Sequence, residues 1–167
     1  MECPSILLVL ESDTLVAQSP VLFQHQNEDV YLITLKNSNG VEVSISNLGA
    51  IIQSFVVPDS SGKPRDIVLG FDQMVHYTHQ SYLESNSYLG AIVGRYANRI
   101  SNSVFELDSK IYPLSSNHPP HQLHGGYEGF DRKVWKLESI SEAPNPKLVL
   151  SYLSKDGEEG FPGNLSV

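Results

Sequence analysis

Hydrophobic and polar residues alternate along most of this chain in short runs separated by turn residues. In "VEVSIS" (41–46), Val41, Val43 and Ile45 share one face while Glu42, Ser44 and Ser46 share the other. That period of two is the signature of a half-buried strand. "VYLITLKN" (30–37) precedes it, and the intervening Asn39-Gly40 pair predicts a hairpin turn, because both residues tolerate positive φ. "AIIQSFVVP" (50–58) reads as the next strand, closed by Pro58 and the turn "DSSGKP". Further strands are predicted at "DIVLGF" (66–71), "SVFELD" (103–108), "KIYPL" (110–114), "VWKLESI" (134–140) and "KLVLSYL" (147–153). Helical periodicity is nearly absent; one turn of helix is expected near "DQMVHY" (72–77) in an otherwise irregular stretch. Many short strands with close turns predict a mainly β fold, an antiparallel β-sandwich or barrel. It is expected to occupy residues 30–167, with residues 1–29 an N-terminal extension of uncertain order.

The two ends of the chain add separate expectations. "ILLVL" (6–10) is too short to span a bilayer. Glu2 stands before it where a secretory signal would carry Lys or Arg, so it reads as a strand or a loosely held tail. At the other end "DGEEGFPGNLSV" sets up a turn and begins a strand just before Val167. A sheet ending in mid-strand exposes an edge, so the chain is expected to be incomplete. The glycines of "DGEEG" mark a turn, and Asp156, Glu158 and Glu159 read as a solvated loop.

Composition narrows the function. The 167 residues carry a formal charge of -8. An acidic chain repels a phosphate backbone, and no basic run recruits an anionic membrane. Neither nucleic acid nor a membrane is an expected partner. Cys3 is the single cysteine; it cannot form an internal disulfide, and a reducing, cytoplasmic location is expected.

The densest chemistry lies in "HQLHGGYEGFDRKVW" (121–135), which holds the only tryptophan. His118, His121 and His124 are spaced by three, but Pro119 and Pro120 forbid a regular helix there. On a strand that spacing sends neighbours to opposite faces. No metal site is expected, and His118 and His121 read as exposed loop histidines. Gly125, Gly126 and Gly129 form no dinucleotide-binding pattern, because a β-like segment and not a helix follows them. Their expected role is turn geometry. No G-x-S-x-G nucleophile motif occurs. "GRYANRI" (94–100) supplies two arginines, an asparagine and a tyrosine. It reads either as a structural loop whose arginines pair with distant acids or as a polar fork for hydroxyl groups.

"LGAIVGRYANRI", "HQLHGGYEGFDRKVW" and "DGEEGFPG", in this order and spacing, resemble the aldose 1-epimerase family, and "NLGAIIQSFVVPDSSGKPRDIVLGF" resembles its opening strands. The resemblance runs from about Val30 to Val167. It implies a large antiparallel β-sandwich that interconverts the α- and β-anomers of an aldohexose such as galactose or glucose. Ring opening removes a proton from the C1 hydroxyl and gives one to the ring oxygen, so one general base and one general acid suffice. No metal or organic cofactor is implied.

Carried over by motif, Asn98 and Arg99 are expected to bind substrate. His124 is expected to bind it too and to assist proton transfer as an auxiliary catalytic group, with Gly125 and Gly126 turning it toward the pocket. Phe130, Asp131 and Trp135 are expected to buttress that loop. The family's principal acid, a histidine in a T-N-H-like motif, and its principal base, a glutamate, would both fall beyond Val167. The chain alone is therefore expected to be inactive. It reads as a truncated form, as half of a split enzyme completed by a C-terminal half, or as a non-catalytic sugar-binding module.

Overall fold

The computed structural model describes residues 15–85, 87–142 and 146–167. The expectations for Cys3 and for "ILLVL" lie outside the described residues. The chain runs through β1 (Leu15–Gln18), β2 (Phe23–His25), β3 (Glu28–Val30), β4 (Leu32–Lys36), β5 (Glu42–Ser46), β6 (Ile52–Pro58) and β7 (Pro64–Asp66). Five of these form one antiparallel sheet in the order β1-β4-β5-β6-β7. Strand β1 pairs with β4, placing Val16 opposite Leu35.

The alternation in β4 and β5 works as the sequence implies. Ile33, Leu35 and Val43 are fully buried, with Leu35 opposite Val43 across the strands. The other face differs from expectation, because Ser44 and Ser46 are buried as well. Each has a partner: the Ser44 hydroxyl lies 2.9 Å from that of Thr34, and the Ser46 hydroxyl donates to the Tyr31 carbonyl at 3.2 Å. A buried hydroxyl is tolerated when so bonded.

The hairpin between β4 and β5 forms, but on a longer loop than a two-residue turn. Lys36 pairs with Glu42, and the Asn37 side chain accepts from the amides of Asn39 and Val41. Only Gly40 of the Asn-Gly pair has positive φ, at 78°.

"DIVLGF" does not form the predicted strand. Pairing stops at Asp66, whose carboxylate accepts from the amides of both Phe55 and Val68 at 3.0 Å. These two bonds turn the chain out of the ladder, leaving Ile67 and Leu69 62% and 79% exposed. A 3₁₀ turn (Met74–Thr78) and α1 (Gln80–Ser85) follow. Met74 and Tyr77 pack with Val30, Leu48 and Ile51 to form one core cluster. Among the described residues no helix is long and apolar enough to cross a membrane.

Beyond α1 the strands come in antiparallel pairs. They are β8 (Arg99–Ile100), β9 (Val104–Leu107), β10 (Lys110–Pro113), β11 (Gln122–Leu123), β12 (Lys136–Ser141), β13 (Lys147–Ser151), β14 (Leu153–Ser154) and β15 (Leu165–Ser166). Leu137, Ile140 and Leu148 of the β12–β13 hairpin pack on Ile33, Leu35 and Val43. Two β layers thus enclose one core cluster, and each aliphatic side chain buried there contributes about 1.5–3 kcal/mol. The fold is mainly β and antiparallel, as the alternation implied.

Candidate functional site

The site begins where the short pair β8–β11 ends. Leu123 pairs with Arg99, and the next residues, Asn98 and His124, face each other through a different bond pattern. The His124 amide donates to the Asn98 carbonyl at 3.0 Å. In return the Asn98 amide donates to Nδ1 of the His124 imidazole, also at 3.0 Å. An amide can only donate, so Nδ1 carries no proton and the neutral ring holds its hydrogen on Nε2.

Burial, and then the nearby charge of Arg99, move the His124 pKa below the usual histidine value. Both effects disfavour the imidazolium, and protonation of Nδ1 would set two N–H groups against each other. His124 therefore presents a neutral ring with Nε2–H as its free donor. The ring is tilted against Tyr88, with centroids 4.6 Å apart. Burial, and then the charge of Asp131, raise the Tyr88 pKa, so its hydroxyl remains neutral at physiological pH.

Backbone geometry holds the imidazole there. His124, Gly125 and Gly126 have φ of 52°, 92° and 110°. A Cβ on Gly125 would overlap the Gly94 carbonyl oxygen, so only glycine allows the two motif loops to touch. The turn assigned to these glycines is present. Asn117, which the motifs did not single out, supports the same loop. Its Nδ2 donates to the carbonyls of Leu123 and Gly126, each at 2.9 Å, and its Oδ1 accepts from the Leu123 amide at 2.7 Å. One amide side chain thus stands in for a strand edge. Its only signal in the sequence is an asparagine beside a proline-rich turn.

Arg99 is exposed. One guanidinium nitrogen reaches Asn98 Oδ1 at 3.3 Å and another lies 3.5 Å from His118 Nε2. Arg95 behaves differently. Its guanidinium donates to the Ser154 hydroxyl and to the carbonyls of Ser154, Lys155 and Pro162. It ties "GRYANRI" to the C-terminal segment through carbonyls, where the structural reading had expected acids.

The three spaced histidines do not converge on one point. His118 and His121 exchange backbone bonds across Pro119-Pro120. His118 is exposed, but His121 is half-buried, and its Nδ1 accepts from the Asn102 amide at 3.1 Å. Among the described residues no group of three or more His, Cys, Asp or Glu is placed to hold a metal.

Phe130 and Trp135 are buried behind the loop, edge to face at 5.8 Å, and Trp135 Nε1 donates to the Phe130 carbonyl. The Phe130 ring lies where a side chain on Gly94 would stand. Asp131 lines a small cavity with Leu48, Tyr82 and Leu83. Burial pushes its carboxyl up to about 6, against the pull of Arg132, whose Nε is 3.7 Å from Oδ2.

"DGEEG" is not a solvated loop throughout. The Tyr152 hydroxyl donates to Glu158 at 2.8 Å, and Glu159 accepts from the amides of Tyr127 and Glu128. The acidic segment is bonded into the fold beside the histidine loop.

These features define an antiparallel β protein with a polar rim of Asn98, Arg99 and His124 held by backbone locks. The aldose 1-epimerase family model matches residues 31–167, and the chain belongs to that family. It is 46% identical over 136 residues to the aldose 1-epimerase of Haemophilus influenzae, covering 81% of this chain and 37% of that protein. It is 42% identical over 130 residues to the galactose mutarotase of Bos taurus, covering 78% and 35%. The chain thus spans little more than a third of the length of these curated relatives. The crystal structure of galactose 1-epimerase from Lactobacillus acidophilus superposes with a TM-score of 0.76 at 25% identity, covering 93% of this chain and 43% of that one. An aldose epimerase homologue from C. elegans gives a TM-score of 0.69 at 32% identity, covering 81% and 39%.

Proposed function

We propose that this chain forms one wall of a hexose-binding site of the aldose 1-epimerase type, with Asn98, Arg99 and His124 as the sugar contacts. One observation carries the reading: the Asn98 amide fixes the His124 tautomer, so that Nε2–H is offered beside the exposed guanidinium of Arg99. An uncharged polyol needs donors in fixed directions, and a neutral imidazole and a guanidinium supply them. The names of the relatives favour galactose or a similar aldohexose.

In this reading His124 is an auxiliary group that binds the sugar oxygen and steadies charge as the ring opens. It is not the principal acid, because its available proton sits on a neutral ring. No T-N-H-like motif follows "DGEEGFPG" within these 167 residues, and in this reading the chain alone does not accelerate anomer exchange. A complementing segment that brings a histidine acid and a glutamate base would restore the reaction. General acid–base groups contribute ~10²–10⁴-fold, so their loss removes most of the enhancement. The single cysteine supports a cytoplasmic setting within the same proposal.

Polarimetry on freshly dissolved α-D-galactose tests this directly, first with the chain alone and then with the complementing segment supplied. No acceleration alone and clear acceleration with the segment is the expected pair of results. Acceleration by the chain alone would refute the assignment of acid and base to another segment.

A further inference from the structure

The Glu159 carboxylate gathers donors from two other segments. Oε1 accepts from the Glu128 amide at 2.8 Å and Oε2 from the Tyr127 amide at 3.1 Å. The Ser115 hydroxyl also donates to Oε2. The backbone carbonyl of the same residue accepts from the Ser115 amide at 3.1 Å and from Gln122 Nε2 at 3.2 Å. Gln122 lies two positions before His124 and is 1% exposed. Glu159 therefore touches the histidine loop on both sides of His124.

The loop needs outside support. Three consecutive residues at positive φ cannot continue a ladder or a helix, and within the loop the Gly126 amide closes back only to the Leu123 carbonyl. Asn117 takes the carbonyls of Leu123 and Gly126. The next two amides, of Tyr127 and Glu128, point at Glu159. A carboxylate suits that place because it offers acceptors only, and its bonds to N–H are charge-assisted. A carboxamide of the same shape would turn an NH₂ toward one of the two amides.

We propose that Glu159 is a positioning residue for the sugar-facing rim: it clamps Tyr127 and Glu128 so that the His124 ring stays on the Asn98 amide. Its consequence for sugar binding rests on the function proposed above, whereas the clamp itself does not.

The experiment uses the 167-residue chain, labelled with ¹⁵N, as wild type, Glu159→Ala and Glu159→Gln. In both variants the amides of Tyr127 and Glu128 exchange with solvent at least ~10-fold faster, while those of central strand β4 keep their wild-type rates. The His124 ring nitrogens, resolved in the wild type as an unprotonated Nδ1 and a protonated Nε2, shift toward the average of two tautomers. Galactose affinity, read by titration, falls at least ~10-fold.

Unchanged exchange at Tyr127 and Glu128, or unchanged His124 nitrogens, overturns the proposal. If Glu159→Ala does not fold, the isosteric Glu159→Gln decides. Loss of protection throughout the chain in Glu159→Gln also overturns it, since that marks general support and not a clamp. If the wild type binds no galactose, the sugar reading fails, and the ring and exchange signals still decide the role of Glu159.

Discussion

Asn98 and His124 bind each other twice, amide to carbonyl in one direction and amide to imidazole Nδ1 in the other. The second bond sets both the ring orientation and the tautomer. A proton on Nδ1 would oppose the Asn98 N–H, so protons and a sugar that takes the Nε2–H donor compete for the same arrangement.

That competition fixes a pH dependence. The His124 pKa lies below the ordinary value of 6.5, owing to burial and then to Arg99. If the proposed site holds, galactose binding should persist through neutral pH and decline in acid solution below about pH 6.5 as the ring protonates. His124→Gln keeps an N–H donor without a titrating ring, and it flattens the acid decline. A titration by nuclear magnetic resonance across this range checks both. An acid limb that persists in His124→Gln would assign the proton to another group.

Arg99 supplies the second test of the rim. Its side chain is exposed and bonds only weakly, through Asn98 Oδ1 and His118. Arg99→Ala should leave the unfolding midpoint nearly unchanged, because exposed substitutions usually stay within ~0.5 kcal/mol. Sugar affinity should fall by about 1.5–3 kcal/mol, the worth of hydrogen bonds to a charged group. Calorimetric titration with galactose measures the loss, and unchanged affinity would remove Arg99 from the site.

Much of the fold and part of the rim could be read from the sequence, for different reasons. Alternation finds β4 and β5 because Ile33, Leu35 and Val43 share one buried face. The same rule misplaces Ser44 and Ser46, since a period of two cannot tell a solvated hydroxyl from a buried one bonded to Thr34 or Tyr31. "DIVLGF" looks like a strand by composition, but the Asp66 carboxylate, accepting from two backbone amides, ends it. The grouping of Asn98, Arg99 and His124 follows from motif resemblance, whereas the lock between Asn98 and His124 is a long-range contact that no local pattern encodes. Glu159 shows the limit most clearly. Glycines on either side mark a turn, yet nothing in "DGEEG" says that Tyr127 and Glu128 will cross it.

Asn117 is the cheapest probe of the loop's support. Its side chain makes three bonds to the backbone at Leu123 and Gly126. Asn117→Ala removes all three and leaves an amide and two carbonyls to find water. At about 1 kcal/mol for each bond, stability should fall by about 2–3 kcal/mol. Asn117→Asp keeps the acceptor for the Leu123 amide but sets a charged oxygen against two carbonyls, so it should recover none of the loss. Urea unfolding of the three proteins gives the comparison. A loss below about 0.5 kcal/mol in Asn117→Ala would show that the loop is held by other contacts.

Asp131 gives a prediction about stability and pH. Its side chain is 12% exposed, and the nearest cation, Arg132, stands 3.7 Å away. Burial outweighs that attraction and lifts the carboxyl from 3.8 to about 6. A carboxyl with a raised pKa binds its proton more tightly in the folded chain than in the unfolded one. Between about pH 4 and pH 6 the folded state then holds more protons, and stability falls as pH rises. The separation of the two pKa values corresponds to about 3 kcal/mol by pH 7. Asp131→Asn keeps the shape, carries no charge and lacks this term. Its stability relative to wild type should rise by about that amount between pH 4 and pH 7. Urea unfolding of both proteins at the two pH values isolates the effect, because every other titrating group is common to both. A difference that does not change with pH would mean that the Asp131 carboxylate is fully compensated by Arg132 and that burial sets no penalty on its charge.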